Sequence, residues 1–194
     1  MRYRRSFVLP AAWRVCGGEG GGGGGGEGGD GGGGVLLHFG AVDWRADVFV
    51  NGRKAGSHRG GYAPFSLDIS AHLRHPTATT PQWVEVDVID ETEEQGQPVG
   101  KQRRSSPRHI WYTAVSGIWQ TVWLEPVPAA YISALELSPS VAARADGAAN
   151  GTLRAQVSVR VAACGGGTAM AAALVATLGH SPEAEAEPEP EPEP

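Results

Sequence analysis

The stretch Asp47-Val-Phe-Val-Asn-Gly-Arg-Lys-Ala-Gly-Ser-His58 spells a β-hairpin. An apolar run, Val48-Phe-Val50, ends at Asn51-Gly52. Both central positions of a tight hairpin turn need φ > 0, which Asn and Gly tolerate best. Lys54 to His58 is then the returning strand. Working outward, the same period of two recurs. Val35-Leu-Leu-His-Phe39 is a short buried-strand candidate, and Trp83–Ile89 sets Val84, Val86 and Val88 on one face and acids on the other. Ile118–Leu124 alternates Trp119, Thr121 and Trp123 against Ile118, Gln120, Val122 and Leu124. Leu153–Val161 is apolar at every odd position. The one helical hint is a turn at Asp68–Leu73, with Ser70 as its cap. Ala169–Leu178 fits strand or helix. Many short strands with turn signals predict an all-β, antiparallel sandwich.

Two tracts stand apart. Gly17–Gly34 holds 15 of the 29 glycines, and Ser181–Pro194 alternates Glu with Ala and then with Pro. Glycine has no side chain to bury and loses the most backbone entropy on ordering. Residues 17–34 are therefore expected to form a disordered insertion in a surface loop. The 181–194 tail is expected to be extended and solvated. The tracts also carry nine of the 21 acids. In the rest, 16 Lys and Arg face 12 acids, a mild surplus far below the clustering that nucleic-acid binding needs. No apolar run reaches the ~18 residues of a membrane span. The basic start followed by Ser6–Trp13 is interrupted by Pro10 and Arg14, so no convincing signal peptide is read and the compartment stays unknown.

A boundary is expected near Glu125-Pro-Val-Pro128, where two prolines block a continuing strand. This divides the chain into 1–128, 129–180 and the tail. About three strands follow the boundary, against about seven in an immunoglobulin-like sandwich, so the second domain reads as incomplete. Cys16 and Cys164 have no metal spacing and read as unpaired thiols.

Catalytic signatures are absent: there is no phosphate loop, no His-Glu-x-x-His and no Gly-x-Ser-x-Gly. No metal, cofactor or catalytic residue is assigned. The six histidines lack ligand spacing, and Glu91, Glu93 and Glu94 read as a solvated loop. Aromatics remain: Trp44, Tyr62, Trp111, Tyr112, Trp119 and Trp123 crowd the middle of the chain. Sugar faces stack on aromatic rings, and packing needs the same residues. Trp119 and Trp123, inside a strand, read as packing. Trp111 and Tyr112, in the preceding loop, suit either role.

Five blocks in order carry a resemblance: Tyr3–Pro10, Val35-Leu-Leu-His-Phe-Gly-Ala-Val-Asp-Trp44, Val48-Phe-Val-Asn-Gly52, Gly60–Ile69 and Ile110-Trp-Tyr-Thr-Ala-Val-Ser-Gly-Ile-Trp-Gln-Thr-Val-Trp-Leu-Glu125. Over Tyr3 to Pro128, less the glycine insert, the sequence resembles the N-terminal sugar-binding domain of glycoside hydrolase family 2. Ala130 to about Leu178 resembles the start of that family's immunoglobulin-like domain. The resemblance implies a jelly-roll-like sandwich, then an immunoglobulin-like one, then a (β/α)₈ barrel whose two glutamates perform retaining hydrolysis. The barrel is not in this sequence. The family's acid/base Glu follows an Asn, whereas Asn51 and Asn150 both precede Gly.

The resemblance also supplies sugar contacts. In the galactosidase branch the Asn of the Val-Asn-Gly turn reaches the pocket, which makes Asn51 a candidate; its turn alone also accounts for it. The galactosidase and glucuronidase branches place an Asp six residues before the Gly of the Ser/Ala-Gly-Ile motif, where this chain has Trp111. Asn51, Trp111 and Tyr112 are thus the candidate substrate-binding residues. The partner is a β-glycoside. The implied function is the non-catalytic part of a family 2 glycosidase; a free-standing carbohydrate-binding module or a non-functional fragment are the alternatives. The family's opening strand before Tyr3 is not recognised here, so uncovered edges and faces are expected to favour self-association.

Overall fold

The computed structural model describes residues 1–13, 15, 33–74, 79–93, 96–143, 149–161 and 171–179, with backbone alone at 143, 149–150, 161 and 171–179. Apart from one turn of 3-10 helix at Ser70–His72, its regular elements are all strands. They fall into two compact units, Met1–Ala130 and a second from Tyr131 that holds the last strands.

The first unit is a two-layer sandwich. One layer is a four-stranded antiparallel sheet in the order β1 (Arg2–Phe7), β7 (Gln82–Ile89), β4 (Arg45–Val50), β5 (Arg53–Arg59). The other orders β11 (Val122–Val127), β2 (Gly34–Phe39) and β6 (Phe65–Asp68). Period-two patterning sets the inner faces. Ala46, Val48 and Val50 from β4 join Val86 and Val88 from β7, and the second sheet contributes Val35, Leu37 and Phe39. Leu9, Val42, Ile69 and Leu73 fill the ends of this core. Phe39 stacks on Phe65, and Phe65 also stacks on His58.

Short pairs shape the rim. β3 (Val42–Asp43) pairs with β10 (Gly117–Ile118), while β8 (Gln102–Arg103) runs parallel to β9 (Tyr112–Thr113). The Asp43–Trp44 peptide bond is cis. The hairpin turn matches its sequence signal: Asn51 and Gly52 have φ of +52° and +82°.

The second unit is a three-stranded antiparallel sheet of β12 (Ala130–Ala143), β13 (Ala149–Val161) and β14 (Ala171–Gly179). The ambiguous segment near Ala169–Leu178 is thus a strand.

Four expectations change. Ile118–Leu124 is not one strand. Its start pairs with β3, residues 119–121 leave the ladder, and Val122 onward pairs with β2. Pro126 does not stop its strand: it sits within β11 opposite Val35, on an edge where its missing N–H costs no ladder bond. Gly33 and Gly34, counted with the glycine tract, are buried, and Gly34 opens β2. Ser70 does not cap its turn. The Asp68 carboxylate accepts from the Ser70 N–H at 3.0 Å, while Ser70 Oγ accepts from Val35 N–H at 2.9 Å. Residues 17–32, the 181–194 tail, Cys16 and Cys164 lie outside the described residues.

Candidate functional site

A cleft of about 320 Å³ opens at the rim of the sandwich. β3 brings Asp43, the turn after β5 brings Tyr62, β8 brings Gln102, and the segment around β10 brings Val115, Ser116 and Trp119. Two glycines allow these segments to converge. The Asp43 carboxylate occupies the space where a side chain at Gly61 would begin, with 2.6 Å between Oδ1 and a Cβ placed there. Gly117 has φ of +120°, a conformation that L side chains rarely adopt, and the Tyr3 hydroxyl packs where its Cβ would be. The Ile118 N–H donates to that hydroxyl at 3.3 Å.

Trp119 and Tyr62 form the aromatic wall. Their rings meet edge to face with centroids 5.8 Å apart, and the Trp119 indole N–H donates to Gly61 O at 2.7 Å. Tyr62 is 70% exposed and Trp119 52%. The packing role read for Trp119 is therefore corrected: one edge is tied down and the rest faces solvent. Trp123 is 45% exposed and stacks on His38 at 4.8 Å. His38 Nδ1 lies 2.6 Å from Ser66 Oγ, and its Nε2 lies 2.8 Å from a Glu125 carboxylate oxygen. These residues sit on β6, β2 and β11 and brace the three strands side by side.

Two carboxylates, Asp43 lining the cleft and Asp90 bonded to Ser116 of its wall, have opposite environments. Asp43 has no hydrogen-bond or ion-pair partner among the described residues. Burial, helped by the charge of Asp90, pushes its carboxyl above the ordinary value. Burial also works against ionisation of Asp90. Hydrogen bonds from Ser116 Oγ at 2.5 Å, Gln97 Nε2 at 2.5 Å and Thr92 N–H at 2.7 Å outweigh it and hold that carboxyl low. Asp90 thus fixes the Ser116 wall. Gln102 Oε1 accepts from Val115 N–H at 2.8 Å, and its NH₂ has no partner among the described residues.

Of the three candidates named from sequence, none lines this cleft. Asn51 lies in its turn with its amide engaged: Nδ2 donates to His72 O at 2.8 Å and Gln82 Oε1 at 2.7 Å, and Oδ1 accepts from Trp83 N–H at 3.0 Å. Trp111 carries the Arg103 guanidinium over its ring at 4.2 Å. Tyr112 is 60% exposed on β9, beside β8 that supplies Gln102. Sequence reading did not single out Asp43, Gln102 or Ser116; the nearby glycines at 60–61 and 117 were the available signal. Among the described residues no group of three or more His, Cys, Asp or Glu is placed to hold a metal.

The arrangement suits a neutral, hydroxyl-rich ligand. An aromatic wall takes an apolar C–H face, and the Asp43 carboxylate and Gln102 amide take hydroxyls. Retaining glycoside hydrolysis needs two working carboxyl groups. Among the described residues that line this cleft, Asp43 is the one carboxylate.

No family profile matches the chain. Two curated proteins are similar to it. One, named "Putative beta-glucuronidase", from Formosa agariphila, is 29% identical over 102 residues, 53% of this chain and 11% of that protein. The other, a beta-galactosidase of Thermoanaerobacter pseudethanolicus, is 30% identical over 94 residues, 47% of this chain and 11% of its own length. The chain thus spans about a ninth of each. In fold it is similar to a glycosyl hydrolase family 2 member from Bacteroides cellulosilyticus, with a TM-score of 0.55 and 19% identity over 92% of this chain and 23% of that one.

Proposed function

We propose that this chain, which resembles the N-terminal region of family 2 glycoside hydrolases in sequence and in fold, works as a non-catalytic, sugar-binding and supporting part of such an enzyme. The observation that carries the reading is the cleft, in which the unpartnered Asp43 carboxylate stands beside the Trp119–Tyr62 wall. Its ligand is a β-glycoside, in keeping with the names of the relatives. Residues 1–128 act as the sugar-binding domain, and 129–180 open an immunoglobulin-like one. Hydrolysis of the O-glycosidic bond belongs to a catalytic barrel that the sandwich supports and whose pocket mouth it shapes. Tyr112 and the open face of Trp111 extend the contact surface, while Asn51 shapes its turn. The same cleft favours one second reading, a carbohydrate-binding module that works on its own; affinity unchanged when the chain is joined to a catalytic barrel favours that module, and affinity that rises favours the part of a larger enzyme.

Calorimetric titration with β-galactoside and β-glucoside oligosaccharides tests the reading. Trp119→Ala should weaken binding roughly tenfold, about 1.4 kcal/mol. Binding uses the ionised Asp43, whose pKa is raised. Affinity should therefore fall, as pH is lowered, at a higher pH than an ordinary carboxylate would give, and Asp43→Asn should abolish that dependence. Chromogenic β-galactosides and β-glucuronides should not turn over. Hydrolysis that follows the chain through purification, or binding indifferent to both substitutions, would overturn the proposal.

A further inference from the structure

On the outer face of the four-stranded sheet, nearly every charge is matched across a strand. Arg2 on β1 makes a two-pronged pair with Asp87 on β7, at 2.5 and 2.6 Å. Arg4 pairs with Glu85 at 3.2 Å, and Lys54 on β5 pairs with Asp47 on β4 at 2.6 Å. One row breaks the rule. Arg45 on β4 stands directly opposite Arg59 on β5, and its other neighbour, on β7, is Ile89. Like charges facing one another across a ladder disfavour it. Neither guanidinium has an ion-pair or hydrogen-bond partner among the described residues, and Arg45 Nε is buried without an acceptor. Glu91 shares a small cavity with Arg45 but forms no ion pair with it.

This row sits in a groove of about 470 Å³ lined by Arg45, Asp47, Lys54, Ser57, His58 and Arg59. Three permanent cations meet one carboxylate there, and that carboxylate is already held by Lys54. The groove is therefore electropositive, whereas the rim cleft presents the Asp43 carboxylate. We infer that the Arg45–Arg59 row is a second saccharide site, specific for the carboxylate of a uronic-acid-bearing glycan. A carboxylate that bridges the exposed guanidinium nitrogens of two facing arginines relieves their repulsion. Three cations are too few for a nucleic-acid track, and the Ser57 hydroxyl at the same groove supplies a neutral hydrogen-bonding group for a sugar hydroxyl. The saccharide part of this inference rests on the function proposed above; the anion part rests on the unmatched row alone.

The test is titration of the whole chain with trigalacturonate, with a neutral galactose trisaccharide and with inorganic sulfate. Trigalacturonate should bind, more weakly as salt rises. Arg59→Gln should cost roughly tenfold in affinity, Arg45→Gln at least as much, and Arg59→Lys, which keeps charge but loses the fork, an intermediate amount. Arg2→Gln, which removes an already paired cation of the same face, should leave binding within about twofold. Relief of the like-charge pair should let Arg59→Gln melt no lower than the parent, so lost binding is not lost folding. Absent trigalacturonate binding, binding unchanged in Arg45→Gln and Arg59→Gln, or sulfate displacing trigalacturonate at equal concentration would overturn the inference. The neutral trisaccharide reports on the rim cleft: its failure to bind would remove the proposed function while leaving the arginine row to be judged on the acidic ligand.

Discussion

The sandwich of Met1–Ala130 and the sheet that begins at Ala130 are written in the same two-residue alternation, yet their side chains end in opposite environments. In the sandwich, Val48, Val50, Val86 and Val88 are at most 3% exposed. In the sheet, Ile132, Leu135, Leu137 and Val141 are each more than half exposed, and none of the described side chains from 131 to 160 is buried. Its strands are also longer, 14 and 13 residues against at most eight in the sandwich. Alternation and backbone pairing make a strand with two faces. Burial requires a second layer facing the first; the β11–β2–β6 sheet provides it in the sandwich, and no second sheet covers β12–β14 among the described residues.

The largest expected effect tests that contrast at its centre. Phe39 is fully buried between the layers, so Phe39→Ala should cost about 3–5 kcal/mol through lost transfer energy and the cavity left behind. Denaturant unfolding followed by the tryptophans reads it directly. A loss below about 1 kcal/mol would mean that the two layers are not tightly packed, and the comparison would collapse. An intermediate effect is expected at Asn51, where the sandwich depends on polar contacts. Asn51→Ala loses three hydrogen bonds and places a methyl at φ of +52°, for about 2–3 kcal/mol. Asn51→Gly keeps the turn and loses only the bonds, so it should cost measurably less; equal losses would assign the whole effect to hydrogen bonding. The smallest effect on stability is expected in the sheet. Leu135→Ser with Leu137→Ser should change unfolding free energy by no more than about 0.5 kcal/mol, because neither side chain is buried. Light scattering should show less self-association in that double variant. A stability loss of 2 kcal/mol or so would show that this face is covered in solution, by another copy or by the chain itself.

Much of the sandwich was legible because its signals are local. The turn at Asn51–Gly52 needs positive φ at two adjacent residues, and few sequences supply it. β2, β4, β5 and β7 follow from alternation bounded by turn residues. The break within Ile118–Leu124 was not legible, because its alternation continues across residues 119–121. What changes there is the pairing partner, β3 before and β2 after, and no local preference encodes that choice. The cleft failed for the same reason. Asp43, Tyr62, Gln102 and Trp119 are far apart in sequence; Tyr62 and Trp119 stand out only as two of six aromatics, and no local signal joins them to Asp43 or Gln102. Trp119 misled because it lies where the chain leaves the ladder between β10 and β11, so the alternation that reads it into a strand does not set its surroundings. Asn51, by contrast, was readable in both its senses. The structure accounts for it through three internal bonds that hold its turn against His72, Gln82 and Trp83.

The Asp90 carboxylate has a consequence beyond its own charge. By receiving Ser116, Gln97 and Thr92 together, it ties Thr92 and Gln97 to Ser116, which lies 26 residues beyond Asp90 itself, before any ligand arrives. A wall fixed in advance loses little motional freedom when a sugar docks, so less of the contact energy is offset by ordering. On the proposed function, association then needs no loop closure, and the lifetime of a complex is expected to follow the rupture of stacking and hydroxyl contacts.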